Sequence, residues 1–460
     1  MLYMDPTPLV VVEGFLSSAG AVVWGNFEEH SNYPCLSNGE RIRRTLFASV
    51  GPVSSLHDRA CELFYLLVGG TVDYGAKHAR ENDHGQFGRT YETGLYPEWS
   101  TEQPLHFLGH SMGGPTIIKL QWLLRTGFFG KRYSADMILS VNTVSSPFRG
   151  TQLVYSLGED TRNAPAVRPF SPGDLLTKTV HIAAYLSPIL PRIFDFHADA
   201  RALSFREASF GSFLRQMRKS DWAESRDATP YDATFEAADE REAVGEGFVN
   251  PSTYYRSYCA TLSNEDDAEP SGFFSPRAWL SKAILWPLRA SANVIANFDF
   301  STLRPIPAFM ATVAAAARAS KVRSEAIVED GVIDVARGGD YLLLSLRAND
   351  SVVPLFSQWH PFECRSTRCR HFSHEHNILD DAEKSRYSCP PEAGVWNVHH
   401  IADAHHFSIV PFWLGTRSQK AFWLDLGHWL RAIDLAHSGV RDGSMTRGKV
   451  RPDVECDILA

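Results

Sequence analysis

Leu105-His106-Phe107-Leu108-Gly109-His110-Ser111-Met112-Gly113-Gly114-Pro115-Thr116-Ile117-Ile118 is the stretch whose reading decides the fold. Residues 105–108 form a short apolar run of the kind that makes a buried strand. Residues 114–124 carry apolar side chains at helical spacing. Between them lies Gly109-His110-Ser111-Met112-Gly113, a G-x-S-x-G pentapeptide. Strand, tight turn and helix with serine at the apex is the context that presents a nucleophilic hydroxyl. Glycines stand two residues to either side because bulky side chains would clash there. The turn lifts Ser111 Oγ clear of the backbone and sets it at a helix N-terminus, whose free N–H groups favour developing negative charge. The pentapeptide alone is a weak signal; the strand and helix around it carry the reading.

Working outward, residues 8–12 and 137–141 read as two further buried strands, and residues 58–68 as another helix. Strands alternating with helices predict an α/β domain with a mostly parallel sheet covered on both faces. Residues 341–346 and 395–398 read as later strands. Residues 418–436 read as a closing helix with Phe422, Leu426, Trp429 and Ile433 on one face. Residues 156–335 lack this alternation and are expected to form a helical cap or lid, inserted into a single domain spanning residues 1–440. Residues 441–460 form a polar tail. Within the cap, Leu175, Leu176, Val180, Ile182, Ala183 and Leu186 give residues 173–190 a broad apolar face. Such a face needs a cover in water.

The chain has 460 residues, 44% of them hydrophobic and 21% charged, enough for one large α/β domain with insertions. Net charge is −8 and no long Lys/Arg cluster occurs, which argues against nucleic acid as a partner. No run of apolar residues is long enough to span a membrane, so no transmembrane anchor is expected. Met1-Leu2-Tyr3-Met4-Asp5-Pro6 lacks the basic region of a signal peptide, so the chain as written reads as intracellular. Seven cysteines are too few for a disulfide scaffold, and the number is odd. Cys364, Cys369 and Cys389 share a polar segment with His371, His374 and His376. A second metal site is one reading of that segment. A surface insertion with a local disulfide or free thiols is the simpler one, and is the expectation here.

A serine hydroxyl becomes a nucleophile when a base takes its proton and an acid holds that base. On folds with this serine turn the order along the chain is Ser, then Asp or Glu, then His. Asp330 and Asp350 compete for the acid. Asp350 follows the expected strand 341–346 by a short loop and is preferred. His399, His400, His405 and His406 crowd the segment where the base belongs. Loop position favours the latter two without separating them. The backbone N–H groups of Met112 and Phe15 are placed to form an oxyanion hole. His78 and His84, with Asp58 upstream, supply residue types that bind zinc. Taken alone, the pair is better explained as two solvated loop histidines.

Longer runs carry a resemblance. Gly51-Pro52-Val53-Ser54-Ser55 leads to Asp58-Arg59-Ala60-Cys61-Glu62. Leu67-Val68-Gly69-Gly70-Thr71-Val72-Asp73-Tyr74-Gly75-Ala76-Lys77-His78-Ala79 follows, and then Phe87-Gly88-Arg89-Thr90-Tyr91. Together they closely resemble the zinc-containing bacterial true lipases of the Geobacillus and staphylococcal type. Further matches fall in residues 147–154, 194–196, 219–232, 252–255, 349–361 and 394–397. Residues 261–345 match poorly, and residues 362–393 look like an insertion.

The resemblance implies an α/β-hydrolase fold and serine-dependent hydrolysis of acylglycerols and simpler esters, with transient contact at a lipid interface. It places the nucleophile on Ser111, the acid on Asp350 within Asn349-Asp350-Ser351-Val352-Val353-Pro354, and the base on His406. It places a structural zinc site on Asp58, His78, His84 and Asp232, and the lid helix near residues 173–190. The family is secreted. It usually has His-Gly-Phe where this chain has Glu13-Gly14-Phe15, which sets a carboxylate beside the oxyanion loop. Ser408 and Trp413 stand where its calcium carboxylates belong, so calcium is not expected. An acyltransferase with the same triad, or a catalytically silent zinc-stabilised binding protein, are the alternative functions.

Overall fold

The computed structural model describes residues 5–17, 20–191, 195–262, 276–320, 328–329, 332–333, 345–372 and 391–441. Among the described residues there are eleven strands: β1 (Leu9–Val12), β2 (Thr45–Ala48), β3 (Gly70–Asp73), β4 (Phe87–Tyr91), β5 (Leu105–His110), β6 (Ile138–Val144), β7 (Tyr254–Ala260), β8 (Val328–Glu329), β9 (Val332–Ile333), β10 (Cys369–Phe372) and β11 (Trp396–Ile401). The main sheet has the order β2-β1-β5-β6-β7-β11-β10-β9-β8. Neighbours are parallel from β2 through to β10, and β9 and β8 join antiparallel. β3 and β4 form a separate hairpin.

β1 shows why the sheet needs cover on both faces. All four of its residues are buried, as expected of a central parallel strand. Alternate side chains point to opposite faces. Val10 and Val12 enter one core with Leu63, Phe64, Ile117 and Leu120. Those partners come from helices α1 (Leu56–Val68) and α3 (Gly113–Arg125). Leu9 and Val11 enter the other with Phe422, Trp423, Leu426 and Trp429, from the closing helix α6 (Arg417–Arg441). Buried ion pairs fix α6 on the sheet: Asp434 accepts from Arg43 at 2.7 Å, and Asp425 from Arg256 at 2.9 Å.

Three expectations change. β7 lies within residues 156–335, so that stretch is not all cap; β7 fills the sheet between β6 and β11. Its sequence, Tyr254-Tyr255-Arg256-Ser257-Tyr258-Cys259-Ala260, has no continuous apolar run, and its polar side chains are satisfied by α6 and neighbouring loops. The strand expected at 341–346 lies partly outside the described residues, and Ser345 to Arg347 form a helical turn. Residues 362–393 contribute β10, which pairs in parallel with β11. Of the two options for this segment, a local disulfide or free thiols, Cys364 and Cys369 take the second. Asp330, Cys389, His374, His376 and the tail lie outside the described residues. Among the described residues no helix is long and apolar enough to cross a membrane.

Candidate active site and metal centre

Ser111 sits on the turn between β5 and α3 with φ +53°, a strained value for a residue with a Cβ. Its N–H donates to Val144 O at 3.0 Å, which ties the turn to β6. The glycines are explained by what surrounds them. A Cβ on Gly109 would run into the Gly114 backbone, and one on Gly113 into the Val12 carbonyl. The loop after β1 also presses on the serine: a Cβ on Gly14 would stand 2.7 Å from Ser111 Cβ. This close approach holds Phe15 and Met112 beside the serine, in one apolar cluster with Leu56.

Buried Arg59 braces that loop. Its guanidinium donates to Glu13 O at 2.5 Å, Gly51 O at 2.7 Å and Thr116 Oγ1 at 2.9 Å. The Glu13 carboxylate accepts from Trp24 Nε1 at 2.8 Å. That carboxylate, expected beside the oxyanion loop, is thus engaged by the indole.

The loops that carry Asp350 and His406 are stitched together. His406 Nδ1 lies 2.9 Å from Asp350 Oδ2, and His406 N–H donates to Asp350 O at 2.8 Å. Asp350 Oδ1 accepts from the N–H groups of Val352 at 2.9 Å and Val353 at 2.7 Å, so both carboxylate oxygens of this fully buried side chain are used. His110, next to Ser111, bonds through Nε2 to His406 O at 3.0 Å. Burial, and then the neighbouring His406, hold the His110 imidazole down at about 3, so it stays neutral there. The other three histidines are otherwise engaged. His405 Nδ1 accepts from Phe407 N–H at 3.2 Å, His399 stacks on Phe372, and His400 faces His371.

A cavity of about 130 Å³ opens at Ser111, lined by Phe15, Met112, Leu153, Leu176 and Trp222 among others. Helix α4 (Pro172–Leu186) roofs it through Leu176. Val180 packs with Val53 and Trp222 alongside. The apolar face expected for this segment divides in two, since Leu175 is 69% and Ile182 43% exposed on its outer side.

Asp58, His78 and His84 converge, but their fourth neighbour is Asp227 rather than Asp232. His78 Nε2 lies 3.2 Å from Asp58 Oδ1 and 3.1 Å from Asp227 Oδ1; His84 Nε2 lies 3.3 Å from Asp227 Oδ2. Tetrahedral zinc with O and N ligands separates such atoms by about 3.4 Å. His84 Nδ1 faces Gly85 O at 2.8 Å, while its buried Nε2 has no hydrogen-bond partner. This donor set fits a divalent metal. Arg201 pairs with both carboxylates, 3.3 Å from Asp58 Oδ2 and bonded to Asp227 Oδ2. Asp232 is committed elsewhere: it accepts from Leu56 N–H at 2.7 Å and pairs with Arg241 at 3.3 Å. The signal that could have chosen Asp227 is tertiary. Ala228 bridges to Ser54, four residues before Asp58, and so brings Asp227 to the site.

Known proteins agree with this architecture. The family model for the lipase-like, C-terminal domain matches residues 7–170. A lipase of Staphylococcus hyicus is 30% identical over 281 residues, which are 56% of this chain and 41% of that protein. Lipase 1 of Staphylococcus aureus (strain MRSA252) is 30% identical over 288 residues, 57% of this chain and 39% of that protein. The chain thus matches about two fifths of the length of these curated relatives. The crystal structure of Staphylococcus hyicus lipase superposes with a TM-score of 0.60 at 21% identity, covering 96% of this chain and 100% of that one. The structure of EstA from Clostridium botulinum gives 0.57 at 23%, covering 93% and 89%. The chain is thus similar to the staphylococcal lipases over part of their length, and it has the α/β-hydrolase fold.

Proposed function

We propose that this chain is a serine-dependent carboxylic ester hydrolase that acts on acylglycerols. The observation that carries the reading is Ser111 at φ +53°, at an apolar cavity and next to the loops that hold the His406–Asp350 pair. His406 Nε2 takes the proton of Ser111 Oγ as that oxygen attacks the ester carbonyl. Nδ1–H donates to Asp350 Oδ2, which fixes the tautomer and stabilises the imidazolium. The N–H groups of Phe15 and Met112 receive the oxyanion. His406 then protonates the departing alcohol, and water, activated by the same imidazole, releases the acid.

The lining of the cavity supports an acyl chain as its occupant. Exposed Phe170, Leu175 and Ile182, on and beside the lid helix, support contact with a lipid surface. Zinc held by Asp58, His78, His84 and Asp227 would be structural, since four protein ligands leave no open position. It would join α1, the loop around α2 (Ala76–Glu81) and the segment beneath the lid.

The test is a panel of p-nitrophenyl esters from short to long chains, with serine-directed phosphonate labelling. Hydrolysis abolished in Ser111→Ala and label confined to Ser111 are expected. Absence of both in the folded wild-type protein refutes the proposal.

A further inference from the structure

A second cluster of donor atoms lies around β10, towards the β8 end of the main sheet. His360 follows the short helix α5 (Leu355–Gln358); Cys364 lies in the loop after it; Cys369 and His371 are on β10. One ligand atom from each of the four falls within 4.8 Å of the others. Cys364 Sγ lies 3.6 Å from His360 Nε2 and 3.5 Å from His371 Nε2. Zinc–sulfur bonds of about 2.3 Å and zinc–nitrogen bonds of about 2.0 Å, at a tetrahedral angle, put S and N about 3.5 Å apart.

The imidazoles are oriented for ligation. His360 Nδ1 faces Pro361 O at 2.9 Å, which puts the proton on Nδ1 and leaves the Nε2 lone pair towards the sulfur. His371 Nδ1 lies 3.4 Å from His400 Nε2, the outer-sphere contact that sets a ligating histidine. Both imidazoles are buried, and the Trp359 ring meets His371 edge-on at 4.9 Å. The thiols are unpaired and only partly exposed.

We infer that His360, Cys364, Cys369 and His371 form a second, structural zinc site of the Cys2His2 type, separate from the carboxylate–histidine site. Both thiols give up their protons to solvent on binding. Two thiolates then neutralise Zn2+, so no net charge is buried. Four protein ligands close the coordination sphere. The ion joins β10 to the segment that begins at Asp350, ten residues before His360, and so fixes the strand beside β11, whose following loop carries His406.

The experiment is metal analysis of the full chain purified under reducing conditions, followed by replacement with cobalt. The wild type should hold one more equivalent of zinc than the Cys364→Ala/Cys369→Ala variant. Cobalt-loaded wild type should show a near-ultraviolet sulfur-to-cobalt charge-transfer band, which a site of carboxylates and imidazoles cannot produce. Should the double variant fail to fold, the wild type answers alone: organomercurial titration of two thiols should release one zinc ion. Cys369→His should keep the second ion and weaken the band. A cobalt-loaded wild type without the band overturns the inference. So does zinc content unchanged by loss of both thiols, or a Cys364–Cys369 disulfide in peptides mapped without reduction.

Discussion

Glu159 lines the same cavity as Ser111 and is 3% exposed. Burial pushes its carboxyl up to about 7 from an ordinary 4.5; the bond from Ala166 N–H opposes this, and Asp160 and Glu224 add to it. The sign follows from comparing folded and unfolded chains. Below about 4.5 both hold the proton, and the group leaves stability unchanged. Between 4.5 and about 7 the unfolded chain releases it while the folded one retains it, so stability falls as pH rises. The fall runs at about 1.4 kcal/mol per pH unit, which gives about 3 kcal/mol by pH 8 as an order of magnitude. Glu159→Gln keeps the acceptor that meets Ala166 N–H at 2.8 Å and removes the charge. Urea unfolding followed by tryptophan fluorescence, at intervals from pH 4 to 9, measures the difference between the two proteins. They should be equally stable at pH 4, and the variant should gain steadily to a plateau above pH 7. A difference that does not vary with pH, or a variant that loses ground as pH rises, refutes the argument that burial holds this carboxyl neutral.

Asp350→Asn should lower turnover about 10⁴-fold with little change in melting temperature, because the amide can keep its backbone contacts but favours the wrong imidazole tautomer; activity within tenfold of wild type contradicts the role given to Asp350. His84→Ala should lower the melting temperature by on the order of 5 °C, whereas Asp232→Asn should leave metal content unchanged. Metal loss in Asp232→Asn with retention in Asp227→Asn would return the ligand role to Asp232. Leu175→Glu, on the outer side of the lid helix, should weaken hydrolysis of emulsified long-chain esters while sparing soluble short-chain ones; equal loss on both would show that this side chain does not meet the lipid surface.

Local sequence determined the features that local sterics control. Ser111 had to lie between Gly109 and Gly113 because the turn leaves no room for a Cβ at either place. The buried strands around it announced themselves as short apolar runs, since a central parallel strand has no polar face to show. The closing helix was legible because one stripe of Phe422, Leu426, Trp429 and Ile433 faces the sheet. β7 was hidden because its Tyr, Arg and Ser side chains are satisfied by distant residues such as Asp425, which no local pattern reveals.

Tertiary structure decided whatever depends on which side chains meet across the chain. His405 and His406 are adjacent and of one type; only the loop path directs His406, and not its neighbour, to Asp350. Asp227 and Asp232 are five residues apart. The bridge from Ala228 to Ser54 sends the first to the histidines, while the second turns to Leu56 and Arg241. His360 offered no sign that it belongs with Cys364, Cys369 and His371. Its donor atom joins theirs because the strand β10 folds back in parallel with β11, beside the loop that His360 begins. Sequence supplied the residue types and the strand-turn-helix that exposes the serine. Convergence of donors from separate segments is set by chain path, which local sterics do not encode.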